Sequence, residues 1–284
     1  MRIASVGGRI KLVRESKLID VHKASDGRFG PTAADVFEQW AQFRDWADHD
    51  TTEGDTPLNE SEAEAPVPPS PQVFGIGLNY REHQVESGLP APEVPLVFTK
   101  FPTSITNAFT EVALPTDQVD WEVEVAIVIG TRAHKVSRSE AWSHVAGVTA
   151  AQDISARDVQ MRPAGTPQFN LGKSFPGFTP LGPVLVTPDE FDDPNNITLS
   201  CDLNGVTLQS SSTADLIFDV AQLIEYLSGI VILMPGDVIL TGTPSGVGLG
   251  QTPKRFLAAG DEVVSHVGDL TMRHTFVGAG DRRS

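Results

Sequence analysis

From Gln72 onward the chain breaks into short apolar runs separated by glycine and proline: VFGIGL, VPLVFTK, EVEVAIVIG, GPVLV, ITLSCDLNG, GDVILTG and DEVVSHV. Runs this short, rich in β-branched residues and bounded by turn formers, suit buried strands better than helices. The 25 glycines and 21 prolines supply the turns between them. Two stretches read as helices. One opens with a Ser137–Glu140 capping box and runs to about Val145. The other starts near Ser212 or Thr213, carries Ile217, Val220, Ile224 and Leu227 on one face, and ends at Gly229. Strands and helices do not alternate, which argues against a Rossmann or TIM arrangement, and no fixed-period repeat is present. The fold class is α+β and β-rich.

The first fifty residues read as a small α+β unit. Residues 1–13 alternate on both sides of Gly7-Gly8, as a hairpin does. Thr32 then offers an N-cap, with Val36, Trp40, Phe43 and Ala47 at helical spacing. Residues 51–71 are acidic and proline-rich with almost nothing to bury. They read as a linker or extended wrap, or else as an ordered strap across the next domain. The expected division is therefore 1–50, the segment 51–71, and a main domain 72–284.

The formal net charge of −16 argues against nucleic acid or anionic lipid as the partner. A single cysteine, Cys201, allows no intrachain disulfide and fits a reducing compartment. It lies in a strand-like run with no evident base and reads as a small buried residue. The start lacks the apolar run of a signal peptide, and Pro235, Gly236 and Asp237 interrupt the most apolar stretch. The expectation is a soluble cytoplasmic protein.

Five segments carry candidate chemistry. In Asp120–Gly130, strand alternation puts Trp121, Val123, Val125, Ile127 and Ile129 on one face and Glu122 and Glu124 on the other. Two parallel carboxylates in an apolar strand are costly unless a hard divalent ion bridges them, or unless that face meets water. Asp153 could supply a third carboxylate, with Arg157 and Gln160 four and seven residues on; the alternative is a helix start capped by Asp153. Lys173, between Gly172 and aromatic residues, could bring a cation to an anionic substrate or developing oxyanion. The loop Leu240–Gly248, with Thr243, could point backbone N–H groups at a carboxylate or phosphate, or be an ordinary glycine-rich turn. His83 and Glu86 are three apart, so one helical turn sets them side by side as a carboxylate-oriented base. No Gly-x-Ser-x-Gly elbow or P-loop is present.

In order and spacing, GLNYREHQVESG, PLVFTKFPTSI, DWEVEVAIVIG, AQDISARDVQ, GKSF with FTPLGP, and LTGTPSGVG resemble the fumarylacetoacetate hydrolase family. The resemblance covers roughly residues 74–250. It implies a mixed β-sandwich roll with a small N-terminal α+β domain, usually a homodimer. It implies Mg²⁺ or Mn²⁺, with Ca²⁺ able to replace them in a crystal, held by Glu122, Glu124 and Asp153. It implies a His83–Glu86 pair on a segment that closes as a lid, and it places Lys173, Arg157, Gln160 and Thr243 around the substrate. Many relatives carry an acidic residue after the phenylalanine of GKSF, where this chain has Pro176-Gly177.

The implied reaction is metal-dependent cleavage of a carbon–carbon bond in a 2,4-diketo acid such as an acylpyruvate. The ion would act as Lewis acid and electron sink. His83, oriented by Glu86, would deprotonate a water, and Lys173 with Gln160 would stabilise the oxyanion. The same site suits decarboxylation of oxaloacetate, or isomerisation or decarboxylation of a 2-hydroxy-dienedioate, and family membership does not choose among them. A non-catalytic relative that binds a 2-oxo acid is the remaining alternative.

Overall fold

The computed structural model describes residues 1–69, 71–162 and 165–279. Two sheets carry the fold. The larger has twelve strands and runs, in spatial order, Thr56–Pro57, Lys17–Asp20, Arg9–Arg14, Arg2–Val6, Thr179–Val186, Val145–Gln152, Val123–Ile129, Val238–Leu240, Val73–Gly77 and Leu96–Lys100; Ala63–Glu64 and Ile105–Asn107 pair off this path. The second has five strands: Val206–Ser212, Thr198–Leu203, Glu262–Val267, Leu270–Gly278 and Phe109–Leu114. Both mix parallel and antiparallel pairs, because Val238–Leu240 runs parallel to Val73–Gly77 and Leu270–Gly278 parallel to Phe109–Leu114. The sheet-rich sandwich expected from the sequence is the architecture observed.

The strand Val123–Ile129 is buried along its whole length. Its odd-numbered residues, with Trp121, join the core between the two sheets. Ala126 and Val128, on its other face, join a second core with Phe29, Phe37, Trp40 and Phe43 of the N-terminal region. The alternation read from sequence therefore holds, but no face meets water. Burial on both sides explains the near-continuous Val/Ile content.

At the N-terminus, Arg2–Val6 and Arg9–Arg14 form the expected hairpin, with Gly7 and Gly8 at φ +60° and +71°. Such a two-residue turn needs positive φ at both positions, which glycine adopts at little cost. Arg2–Val6 also pairs with Thr179–Val186, so the hairpin extends the main sheet. Thr32 caps the helix Ala33–Glu38 in a reciprocal box with Asp35, and a second helix, Trp40–His49, follows. Of the two forms open for residues 51–71, the described residues take the strap: Thr56–Pro57 and Ala63–Glu64 pair with the sheet, and Pro66 and Val67 are buried.

Two helix expectations need correction. Ser137 Oγ does donate to Glu140 Oε2, but only the 3-10 turn Ala141–His144 follows, and Val145 already belongs to a strand. That leaves too few residues to propagate a helix. Downstream, Ser212 caps the 3-10 turn Thr213–Asp215, whereas the helix Val220–Ser228 starts later, capped by Asp219 in a box with Gln222, and stops at Gly229 as expected.

His274 is fully buried; its Nε2 donates to the Asn107 carbonyl at 3.3 Å. Burial pushes its pKa down to about 4. The unfolded imidazole, with an ordinary pKa near 6.5, takes up a proton before the folded one does. Stability should therefore fall as pH drops from 7 toward 4, by roughly 3 kcal/mol from this residue. Urea unfolding of wild type and His274→Asn at pH 7 and pH 4.5 checks this: the variant should lose distinctly less stability on acidification, and equal losses would refute it.

Candidate active site

Strand register assembles the candidate metal ligands. Glu124 pairs with Ala151 across Val123–Ile129 and Val145–Gln152. One residue past the second strand, the Asp153 N–H donates to the Glu122 carbonyl at 2.9 Å. Carboxylate oxygens of Glu122, Glu124 and Asp153 lie within 4.8 Å of one another, and all three residues are buried. Glutamine side chains finish the irregular strand entrance: Gln152 Oε1 accepts from the Glu122 N–H and Gln209 Oε1 from the Val123 N–H.

Three buried cations surround the cluster. Lys173 Nζ donates to Glu122 Oε2 at 2.8 Å, Asp153 Oδ2 at 2.5 Å and Ser155 Oγ at 2.8 Å. Lys100 Nζ donates to Asp153 Oδ1 at 2.5 Å and to the Phe178 carbonyl at 2.6 Å. Arg157 Nη2 lies 2.6 Å from Glu122 Oε1 and 2.8 Å from Asp120 Oδ2, while Nη1 donates to Gln160 Oε1 at 2.9 Å. Burial opposes charge on Lys173, but Asp153 and Glu122 outweigh it and hold the ammonium above its ordinary pKa. Burial likewise opposes charge on Glu122, where Lys173 and Arg157 prevail and hold the carboxyl well below the usual range.

Glu124 is different. Among the described residues its carboxylate bonds to no lysine or arginine; its recorded partner is the Gly242 N–H, at 2.7 Å. Burial, then Asp153 and Glu122, push its pKa well above the ordinary value. Among the described residues, four buried carboxyl groups, counting Asp120, thus meet three cations, and the uncompensated one faces two of its own kind. Oxygen-only donors with unbalanced negative charge fit a hard divalent ion, so Glu122, Glu124 and Asp153 suit Mg²⁺ or Mn²⁺.

Backbone packing delivers the cationic side chains. A Cβ on Gly172 would lie 2.6 Å from the Gln160 Cα, so the short helix Phe169–Gly172 can press against Arg157–Gln160 and present Lys173 inward. The Phe98 ring covers Lys173, with Nζ 5.0 Å from its centroid. A Cβ on Gly75 would lie 2.3 Å from that ring, so glycine makes its space.

The loop after Val238–Leu240 points N–H groups at carboxylates, as its composition suggested, but at the protein's own. Gly242 N–H meets Glu124, Gly246 N–H meets Glu86 Oε1 at 3.0 Å, and Gly248 and Leu249 N–H meet Asp120 at 2.7 and 3.0 Å. Thr243 Oγ1 donates to the Val123 carbonyl at 2.8 Å and accepts from Gln209 at 2.9 Å, so its hydroxyl braces the strand. On the helix Arg81–Ser87, His83 Nδ1 sits 2.8 Å from Glu86 Oε2. Glu122, Glu124, Asp153, Lys173, Arg157 and Gln160 therefore form one cluster that Thr243 braces, while His83 and Glu86 are tied to it through the loop, by the Gly246 N–H. The capped-helix alternative for Asp153 does not occur, because the short strand Ser155–Ala156 follows it.

Sequence reasoning missed Lys100, Asp120, Gln152 and Gln209. Lys100 shares the buried register of Phe98 on Leu96–Lys100, so a lysine at an inward position was the available signal. Asp120 shares the parity of Glu122 and Glu124 and continues the same acidic face.

Comparison with known proteins identifies the family. The family model for the Fumarylacetoacetate (FAA) hydrolase C-terminal domain matches residues 72–277. The chain belongs to that family of enzymes. It is 45% identical over 216 residues to "Oxaloacetate tautomerase FAHD2A, mitochondrial" of Homo sapiens, covering 75% of this chain and 68% of the relative. A crystal structure from Mycobacterium smegmatis, assigned provisionally as HpcE, superposes with a TM-score of 0.93 at 47% identity over 98% of this chain and 100% of the other. Fumarylacetoacetate hydrolase from the psychrophile Exiguobacterium antarcticum superposes at 0.80 with 30% identity, over 97% of this chain and 98% of the other. Among the described residues, no helix is long and apolar enough to cross a membrane.

Calorimetric titration with Mn²⁺ should give one ion per chain. The double variant Glu122→Ala/Glu124→Ala should bind at least about a hundredfold more weakly, given that loss of even outer partners costs ten- to a hundredfold. An unchanged isotherm would place the ion elsewhere.

Proposed function

We propose that the protein is a divalent-metal-dependent enzyme that interconverts the keto and enol forms of oxaloacetate or a close 2-oxo diacid. The observation that carries this reading is the His83–Glu86 pair, pinned by Gly246 N–H beside a buried cluster of three carboxyl groups and two potential substrate cations. The 45% identical relative named as an oxaloacetate tautomerase supports the choice of substrate.

The residues divide the work as follows. A divalent ion held by Glu122, Glu124 and Asp153 would supply Lewis acidity to the 2-oxo group. Arg157 and Lys173 supply the positive charge that attracts and orients the substrate carboxylates. Glu86 accepts from Nδ1–H of His83, which fixes the tautomer and leaves Nε2 as the base. Nε2 takes a proton from C3 of the keto form and returns it to the C2 oxygen, giving the enol with no atom gained or lost. The helix Arg81–Ser87 acts as a lid that keeps bulk water from quenching the enolate. The proposal includes a homodimer working in the cytoplasm.

The second reading is hydrolysis of an acylpyruvate, with decarboxylation of oxaloacetate beside it. The oriented His83 favours hydrolysis, since the same base can activate a water. The family relationship to a fumarylacetoacetate hydrolase also supports it. One assay set separates the three: enol-to-keto conversion of oxaloacetate followed by ultraviolet absorbance, pyruvate release, and acylpyruvate cleavage, all with Mn²⁺ and with spontaneous decay subtracted. Wild type should accelerate tautomerisation and release little pyruvate, and His83→Ala should lose about a hundredfold or more, the usual worth of a general base. Acylpyruvate cleavage faster than tautomerisation, or stoichiometric pyruvate from oxaloacetate, would replace this reading with one of the others.

A further inference from the structure

Asp120 lies outside the candidate metal triad, yet it is fully buried, accepts four hydrogen bonds and forms an ion pair with Arg157. Oδ1 accepts from the Trp121 N–H at 2.9 Å and the Gly248 N–H at 2.7 Å. Oδ2 accepts from the Leu249 N–H at 3.0 Å and from Arg157 Nε at 2.9 Å, and Arg157 Nη2 lies 2.8 Å from it. The approach of Gly248 depends on a missing side chain: a Cβ there would lie 2.8 Å from Asp120 Oδ1 and 1.9 Å from the Arg255 carbonyl. Asp120 also pairs with Ser155 across a two-stranded ladder, and Ser155 Oγ receives Lys173.

Arg157 therefore stands between two carboxylates. Its Nε and Nη2 are anchored on Asp120, while Nη2 also reaches Glu122 Oε1 at 2.6 Å. A guanidinium free of Asp120 would settle wholly on Glu122 and compete there with a divalent ion for the same oxygens. We propose that Asp120 is a positioning residue that shares the Arg157 guanidinium with Glu122, limiting its hold there to one contact at Oε1 that a metal ion can displace, and keeping the guanidinium in place for the substrate. This rests on the reading of Glu122, Glu124 and Asp153 as metal ligands.

A double-mutant cycle on the full-length protein tests it, with Mn²⁺ alone as the probe. Asp120→Asn keeps shape but removes charge. It should weaken Mn²⁺ binding about tenfold, the low end for a partner outside the ligand set. In an Arg157→Gln background the same change should have no effect on Mn²⁺ affinity, because no guanidinium is left to share. Substrate KM should rise in Asp120→Asn more than kcat falls, and Asp120→Glu should recover most of the Mn²⁺ affinity. A residue needed only for folding would lower thermal stability equally in both backgrounds and leave the isotherm of folded protein unchanged; that result overturns the proposal, as does an undiminished effect without Arg157. Wild type supplies a readout that needs no variant: the Arg157 Nε–H resonance should stay protected from exchange before and after saturation with Mg²⁺. Its loss in either state overturns the proposal. An isotherm untouched in Glu122→Ala/Glu124→Ala overturns the metal reading and this inference together, whereas normal metal binding with an unaltered Asp120→Asn isotherm overturns this inference alone.

Discussion

A carboxyl group buried against two others, and bonded by one backbone N–H instead of a lysine or arginine, is the constraint around which this molecule is arranged. Glu124 occupies that position. A buried carboxyl group with no cationic partner is costly to ionise. Here the cost is met in part by Lys173, Lys100 and Arg157, each of which sits on a carboxylate other than Glu124. The remaining imbalance is what a divalent cation would relieve, and binding it couples metal affinity to the folded geometry.

The larger sheet supplies the rigidity this requires. Val123–Ile129 lies between Val145–Gln152 and Val238–Leu240, with apolar cores on both faces. Three consequences of that one placement converge. Glu124 is fixed by register, Asp153 follows directly from the neighbouring strand, and the loop after Leu240 is launched across the carboxylates. That loop clamps three of them through backbone N–H groups, so candidate metal ligand, base-orienting carboxylate and Arg157 anchor are referred to one piece of chain. Side chains could not approach so closely: a Cβ on Gly246 would lie 1.9 Å from the Leu208 carbonyl. The glycines of the loop are thus explained by proximity to other backbone.

Much of this was legible in the sequence because alternation is a strict rule on strands. It placed Glu122 and Glu124 on one face and the five apolar residues on the other, and both sets lie where alternation put them. What alternation could not reveal was the second core. The covering helices come from residues 33–49, far away in sequence, so the alternation alone left a water-facing glutamate pair open beside a buried one. The helices at Ser137 and Ser212 were misjudged for a related reason: capping residues also begin 3-10 turns, and only tertiary packing decides whether a turn propagates. The buried lysine and glutamines escaped notice because their partners come from other strands, whereas His83 and Glu86 are neighbours on one helical turn. The strap at 51–69 is held by strand pairing and a few buried residues, Pro66 and Val67 among them, which composition under-weights.

With Glu122, Glu124 and Asp153 as ligands, a bound ion would be ringed by the positive charges of Lys173, Lys100 and Arg157. The most direct measurement is a crystal structure of the protein soaked in Mn²⁺, with anomalous difference maps collected at the manganese edge. The account predicts one strong peak per chain, within bonding distance of Glu122, Glu124 and Asp153, with Arg157 still on Asp120. A site at full Mn²⁺ saturation with no peak among these carboxylates, and Lys173 unmoved between Glu122 and Asp153, would contradict it.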